Sequence, residues 1–309
     1  SDTTQVIDQI GIIVTGDASP QLSQIEVLNY TRGIVFENTV RTRTTTPTIT
    51  NTRVRNSTQG SRTGSEKTTG ITVRGDVSVE IEDVDVEKYD VGIKVESLDS
   101  YATATVTMTN TRVRNSTQGS RPENDSTIGL YFSGNVVPIL NDVEITGMDQ
   151  GIVFNGGTTQ RTTPILTNTR VRNSTQGSRN EEKVGILLAD VPSVILDDCE
   201  VEDYDIGIQI KSQTTRTVST PTISNTRVRN STQGSRSTRT GVDVRGNVVL
   251  QMDKCQIDDY FYGIQYIGTA STQFATTPTI TNTRVRNSNQ GSRATTKGVV
   301  LTKDRKSVV

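Results

Sequence analysis

The sequence predicts an all-β solenoid, one domain spanning residues 1–309 and built of roughly ten to eleven stacked coils. Three observations predict it. The string Asn-Thr-Arg-Val-Arg-Asn-Ser-Thr-Gln-Gly-Ser-Arg begins at Asn51, Asn110, Asn168 and Asn225 and returns at Asn282 with Asn289 in place of Thr, at spacings of 59, 58, 57 and 57 residues. Glycines followed by alternating apolar residues fall at 11, 33, 70, 92, 129, 151, 185, 207, 241, 263 and 298, at intervals that alternate between 22 and 34–37. The chain is only 31% hydrophobic with 4% aromatic residues, too little for a thick globular core in 309 residues. Its net charge of -1 and abundant β-branched residues argue against disorder.

The elements follow from these spacings. Each repeat of about 58 residues pairs a 22-residue short coil with a long coil of 34–37 residues. Segments such as Gly70-Ile71-Thr72-Val73, Gly92-Ile93-Lys94-Val95 and Ile81 to Val86 alternate apolar and polar residues, which is the period of a strand. Aligning short with long coils gives one β-branched column: Val27, Val54, Val86, Val113, Ile145, Val171, Val201, Val228, Ile257 and Val285. Two residues earlier, Ile25, Val84, Val143, Cys199 and Cys255 alternate with Thr52, Thr111, Thr169, Thr226 and Thr283. Parity sends both columns inward. Tyr30, Tyr89, Met148, Tyr204 and Tyr260 recur three residues after the first column. Strands every 22 residues, punctuated by Gly, Asp and Asn, resemble the rungs of the right-handed parallel β-helix of the pectin-lyase-like superfamily. The resemblance covers essentially the whole chain and concerns the fold.

The outward columns carry charge. One reads Glu26, Arg53, Asp85, Arg112, Glu144, Arg170, Glu200, Arg227, Gln256, Arg284; the next reads Leu28, Arg55, Glu87, Arg114, Thr146, Arg172, Glu202, Arg229, Asp258, Arg286. Acid against base on neighbouring strands predicts a salt-bridge ladder. The long-coil string also repeats Gln and a further Arg outside the core pattern. Five sets stand as a candidate surface for assembly or a partner: Arg55, Gln59 and Arg62; Arg114, Gln118 and Arg121; Arg172, Gln176 and Arg179; Arg229, Gln233 and Arg236; Arg286, Gln290 and Arg293. Packing does not require such constancy, since the short coils exchange Ile, Val and Cys freely.

Composition restricts the chemistry. Without histidine, no Ser-His-Asp, Cys-His or His-ligated metal site is available within the chain, and no metal or cofactor is expected. Cys199 and Cys255 stand two rungs apart in one inward column, roughly 9–10 Å, too far for a disulfide. They are expected to be buried free thiols packing as small hydrophobes. Arg74-Gly75-Asp76 matches a cell-adhesion tripeptide, but its equivalents share only Gly-Asp or Gly-Asn, which is turn chemistry. Asn56, Asn115, Asn173 and Asn230 open Asn-Ser-Thr and are candidates for N-glycosylation in a secreted chain, or for an asparagine ladder bonding from turn to turn. Enzymes of the superfamily cleave acidic polysaccharides; here the repeats look equivalent and no acid–base set stands alone, so no enzyme is expected. Thirty-three basic residues against 34 acidic ones disfavour nucleic acid, and no stretch approaches a membrane span.

The ends complete the reading. Ser1 to Ile10 resembles the tail of a preceding coil, and Gly298 to Leu301 opens another that stops at Val309. Open rungs at both ends predict head-to-tail stacking through Ile7, Ile10, Ile12, Val299, Leu301, Val308 and Val309. The expected function is a self-assembling rod of an extracellular filament or cell-surface layer, with the chain itself as partner. A carbohydrate-binding adhesin or phage-fibre rod, with polysaccharide as partner, is the alternative.

Overall fold

A computed structural model describes residues 9–38, 44–56, 67–97, 104–115, 126–156, 163–173, 182–212, 218–231, 239–268, 277–287 and 297–303. All regular structure in it is β-strand. The strands form two parallel sheets of 11 and 18 strands. In the first sheet, the strand Arg32–Asn38 lies between Ile10–Thr15 and Thr69–Gly75, and the order continues coil by coil to Lys297–Lys303. Its register alternates as the glycines do: Ile10 pairs with Arg32, Arg32 with Thr69, Thr69 with Val91 and Val91 with Ile128. The second sheet pairs short with long coils along the predicted columns, for example Val54 with Val86 and Val86 with Val113.

The core is a narrow channel between the sheets. The β-branched column is buried from Val27 to Ile257. A facing column from the first sheet reads Ile34, Ile71, Ile93, Leu130, Ile152, Ile186, Ile208, Val242 and Ile264, all at 0% exposure. Phe132 and Phe154, on neighbouring coils, stack at 5.0 Å. Burial of each such side chain contributes about 1.5–3 kcal/mol, so a thin core suffices when it runs the length of the rod.

Two local features explain the repeat residues. A Cβ on Gly33 would lie 2.3 Å from Val54 Cγ1 and 2.5 Å from the Gly70 carbonyl oxygen, so the glycine column exists because the β-branched column presses against it. The first asparagine of each long-coil string, from Asn51 to Asn282, has φ between 47° and 49°. Asn tolerates that left-handed turn better than most residues, which accounts for its constancy.

Thr52, Thr111, Thr169 and Thr226 are buried and donate to the carbonyl two residues earlier, as Thr111 Oγ1 does to Thr109 at 3.1 Å; Thr283 makes the same bond from a half-buried position. Cys199 and Cys255 are buried free thiols that make the same bond, to Asp197 and Asp253 at 3.4 Å. They replace a hydroxyl as well as an apolar group, a role the sequence reading did not give them. Burial pushes the Cys199 thiol up to about 12 and raises that of Cys255. Tyr89, Tyr204 and Tyr260 are buried in the column shared with Met148, whereas Tyr30 is 37% exposed.

Candidate interaction surface

The outer face of the second sheet carries the charge ladder. Glu26, Arg53, Asp85, Arg112 and Glu144 are successive partners, as are Leu28, Arg55, Glu87, Arg114 and Thr146. Arg53 and Arg55 both reach Glu87, at 3.2 and 3.3 Å. Arg114 bonds Asp85 and meets Glu87 at 2.8 Å. Arg112 contacts Glu144 at 3.5 Å, and Arg170 contacts Glu200 at 2.7 Å. Arg172 and Arg229 converge on Glu202 from either side, and Arg286 Nε lies 3.1 Å from Asp258. The Asp85 hydrogen bond lifts Arg114 above the ordinary guanidinium value, and the Glu200 bond lifts Arg170.

Pairing is not the same as equal display. Glu202 and Asp258 are each 2% exposed, while the side chain of Arg286 is 51% exposed. The acids lie beneath and the guanidiniums lie over them. Arg55, Arg114, Arg172, Arg229 and Arg286 therefore stand in one row, two rungs apart, each tied to a carboxylate along one edge. Gln59, Arg62, Gln118, Arg121, Gln176, Arg179, Gln233, Arg236, Gln290 and Arg293 lie outside the described residues.

The four Asn-Ser-Thr asparagines face inward. Asn56, Asn115, Asn173 and Asn230 are 1–5% exposed. The amides of Asn115 and Asn230 donate to the carbonyls of Tyr89 and Tyr204, at 3.4 and 2.9 Å. Asn287 bonds Tyr260 in the same way, at 3.2 Å, although its string has lost the acceptor pattern. The bond is common to Asn115, Asn230 and Asn287 and so does not follow the motif. A glycan on any of the four would require its side chain to leave this place.

Among the end-contact candidates, Ile10 and Ile12 are half-buried on Ile10–Thr15, and Val299 is 48% exposed on Lys297–Lys303. Leu301 is the backbone partner of Tyr266. Ile7, Val308 and Val309 lie outside the described residues.

One polar column escaped the sequence reading. The residues that enter the first sheet, Thr68, Asp90, Thr127, Asp149, Lys183 and Asp205, are all buried. Asp90 Oδ2 accepts from Thr68 N and Oγ1 at 2.8 Å, and Asp149 repeats this with Thr127 at 3.0 Å. Further on, Lys183 Nζ lies 4.0 Å from Asp149, and Arg239 Nε lies 3.4 Å from Asp205. The outer face of the first sheet adds Asp243, at 0% exposure, held by Gln209 at 2.9 Å and Arg245 at 2.9 Å. The register of the glycine strands could have revealed both groups, since each is a column adjoining that motif.

Stacked parallel coils with inward ladders define a β-helix solenoid. Residues 99–285 match the family model of the right-handed β-helix region, and the chain belongs to that family. No curated protein sequence matches it. Among solved structures, the Dettilon tailspike protein is 14% identical, with a TM-score of 0.56 over 90% of this chain and 55% of the tailspike chain. A double mutant of the periplasmic alginate epimerase AlgG is 12% identical, with a TM-score of 0.57 over 92% of this chain and 65% of that one. AlgG itself gives 11% and 0.53, over 86% and 62%. The chain thus spans 55–65% of the length of these proteins, and the likeness is one of fold.

Proposed function

We propose that this chain is a structural rod of an extracellular or envelope-associated assembly, working through its repeated surface and joining other copies end to end. The observation that carries the reading is the repetition itself: the first three long coils each set a pair of outward arginines over the carboxylates of their neighbours, and Arg229 and Arg286 continue one row of it. A partner that meets this face meets one chemistry at every second rung. The backbone and charge columns repeat from coil to coil, so a further copy placed on the axis would continue them. A tailspike and a periplasmic enzyme among the fold neighbours fit such a location. Electron microscopy of the purified chain at neutral pH tests the reading. Long fibres of uniform narrow width are expected; monodisperse single rods at high concentration would refute end-to-end assembly.

The exposed guanidinium row favours a second reading, recognition of polysaccharide along the rod by a non-catalytic adhesin or fibre segment. A glycan array distinguishes the two. Retention of glycans by single rods, lost when Arg114, Arg172 and Arg229 are changed together to Gln, would favour recognition over assembly.

A further inference from the structure

The charge ladder lacks one acid. In its first column the short coils supply Glu26, Asp85, Glu144 and Glu200, and then Gln256. Arg227 and Arg284 are the partners of Gln256 on either side. Their surroundings differ from those of the other arginines in this column. Arg53, Arg112 and Arg170 each have a carboxylate within 3.5 Å. Arg227 comes only to 4.0 Å from Glu200, and Arg284 makes no ion pair among the described residues. The adjoining column does not compensate. Asp258 is almost fully buried and is held by Arg286 and by the amide of Gln256.

The preceding repeat shows what is missing. There Arg170 and Arg227 lie two rungs apart and converge on the carboxylate of Glu200, at 2.7 and 4.0 Å. Arg227 and Arg284 have the same two-rung separation, roughly 9–10 Å along the axis, with a neutral amide between them. Arg229, the strand partner of Asp258, is paired with Glu202, and these coils also carry Lys254 and the acids Asp253, Asp203 and Asp259. Asp253 accepts from Thr281 and Asn282 at 2.8 Å, and Asp203 accepts from Ser231 at 2.7 Å. Asp259 occupies a left-handed turn, with φ 65°, and its backbone N–H donates to the Arg286 carbonyl at 2.9 Å.

We propose that Arg227 and Arg284, on either side of Gln256, form a binding site for an oxyanion group carried by a partner. A carboxylate, sulfate or phosphate would fill the place that an acidic side chain fills on the other short coils. Guanidinium groups suit such ligands because they donate two parallel hydrogen bonds. The site does not depend on end-to-end assembly, since it lies on the side of the rod.

Calorimetric titration of the full chain tests it, with inorganic phosphate and with glucuronate as probes at matched ionic strength. The original chain is expected to bind at least one probe. Gln256→Glu places a carboxylate in the gap and should weaken that binding by about tenfold or more, the scale of one charge-assisted hydrogen bond. The same variant should melt at a higher temperature, which separates occupation of the site from misfolding. Arg284→Gln should weaken binding without that rise in melting temperature. Preference for phosphate or for glucuronate identifies the group the site takes. Binding to neither probe, or equal binding by the original chain and Gln256→Glu, would overturn the site.

Discussion

The ladder rungs from Glu26 to Thr146 and those from Arg170 to Arg286 share one backbone and differ in charge. The first set balances Arg53, Arg55, Arg112 and Arg114 against Glu26, Asp85, Glu87 and Glu144. The second sets Arg170, Arg172, Arg227, Arg229, Arg284 and Arg286 against only Glu200, Glu202 and Asp258. The corner column changes in the same direction: Thr68 and Thr127 give way to Lys183 and Arg239. The inward columns hardly differ between the two sets, because volume and β-branching are set by contact with the facing sheet. Apart from the thiols of Cys199 and Cys255, the chemical differences between the two sets lie outside the apolar channel.

The largest expected effect lies in the corner. Asp205→Asn removes the carboxylate that lies 3.4 Å from Arg239 in a largely buried place and should cost about 3 kcal/mol in urea unfolding. Asp90→Asn keeps an acceptor for Thr68 and should cost about 1 kcal/mol. Equal losses would mean that the two corners are not electrostatically distinct. Next come Gly70→Ala and Gly185→Ala, one from each half. Each new Cβ would meet a β-branched methyl at 2.4 Å and a carbonyl oxygen at 2.6 or 2.5 Å. Both should lose about 1–3 kcal/mol or more, and similar losses are what a shared frame requires.

Smaller effects belong to the ladder. Asp85→Arg sets an arginine beside Arg53, Arg112 and Arg114 and should cost about 1 kcal/mol. Arg112→Ala removes one exposed, long contact and should cost less than about 0.5 kcal/mol. Thermal unfolding of the two variants side by side decides whether alternation matters. The smallest effect is one of pH. Hydrogen bonds from Ser224 and Asn225 hold Asp197 below its ordinary value of 3.8, and those from Asn282 and Thr281 do the same for Asp253. A depressed carboxylate stabilises the fold above its unfolded value, and that contribution disappears as pH falls through the folded one. Stability should therefore be level near pH 5–7 in this respect and decline below about pH 4, less steeply in Asn225→Ala.

Much of this architecture was legible in the residues. The glycine intervals gave the register of the first sheet, because only glycine fits where the β-branched column presses. The Val86 and Val84 columns were readable because a period of two allows one inward set. Other features were hidden. Nothing in the order Arg, Glu, Arg says that Glu202 lies beneath Arg172 and Arg229, since side chains of different length settle at different depths. Asn115 reads as a glycosylation motif because three residues cannot reveal that an amide turns inward to the Tyr89 carbonyl. The corner column has no constant distance from the repeated string, since Thr127 and Lys183 follow it at different intervals, and it shows only when the residues are aligned on the glycines, each two positions before one.

Alternation gives the rod a parity. Removing one inner short coil would bring arginine against arginine along both outer columns, and removing one inner long coil would bring acid against acid along one of them. Removing two adjacent coils would restore the original order of charges. Growth or loss in whole pairs of rungs, in steps of 57–59 residues, is what keeps the alternation. The lengths that keep it form a ladder of discrete sizes, and a genetic change that respects the pair leaves the remaining arginines beside short coils as before.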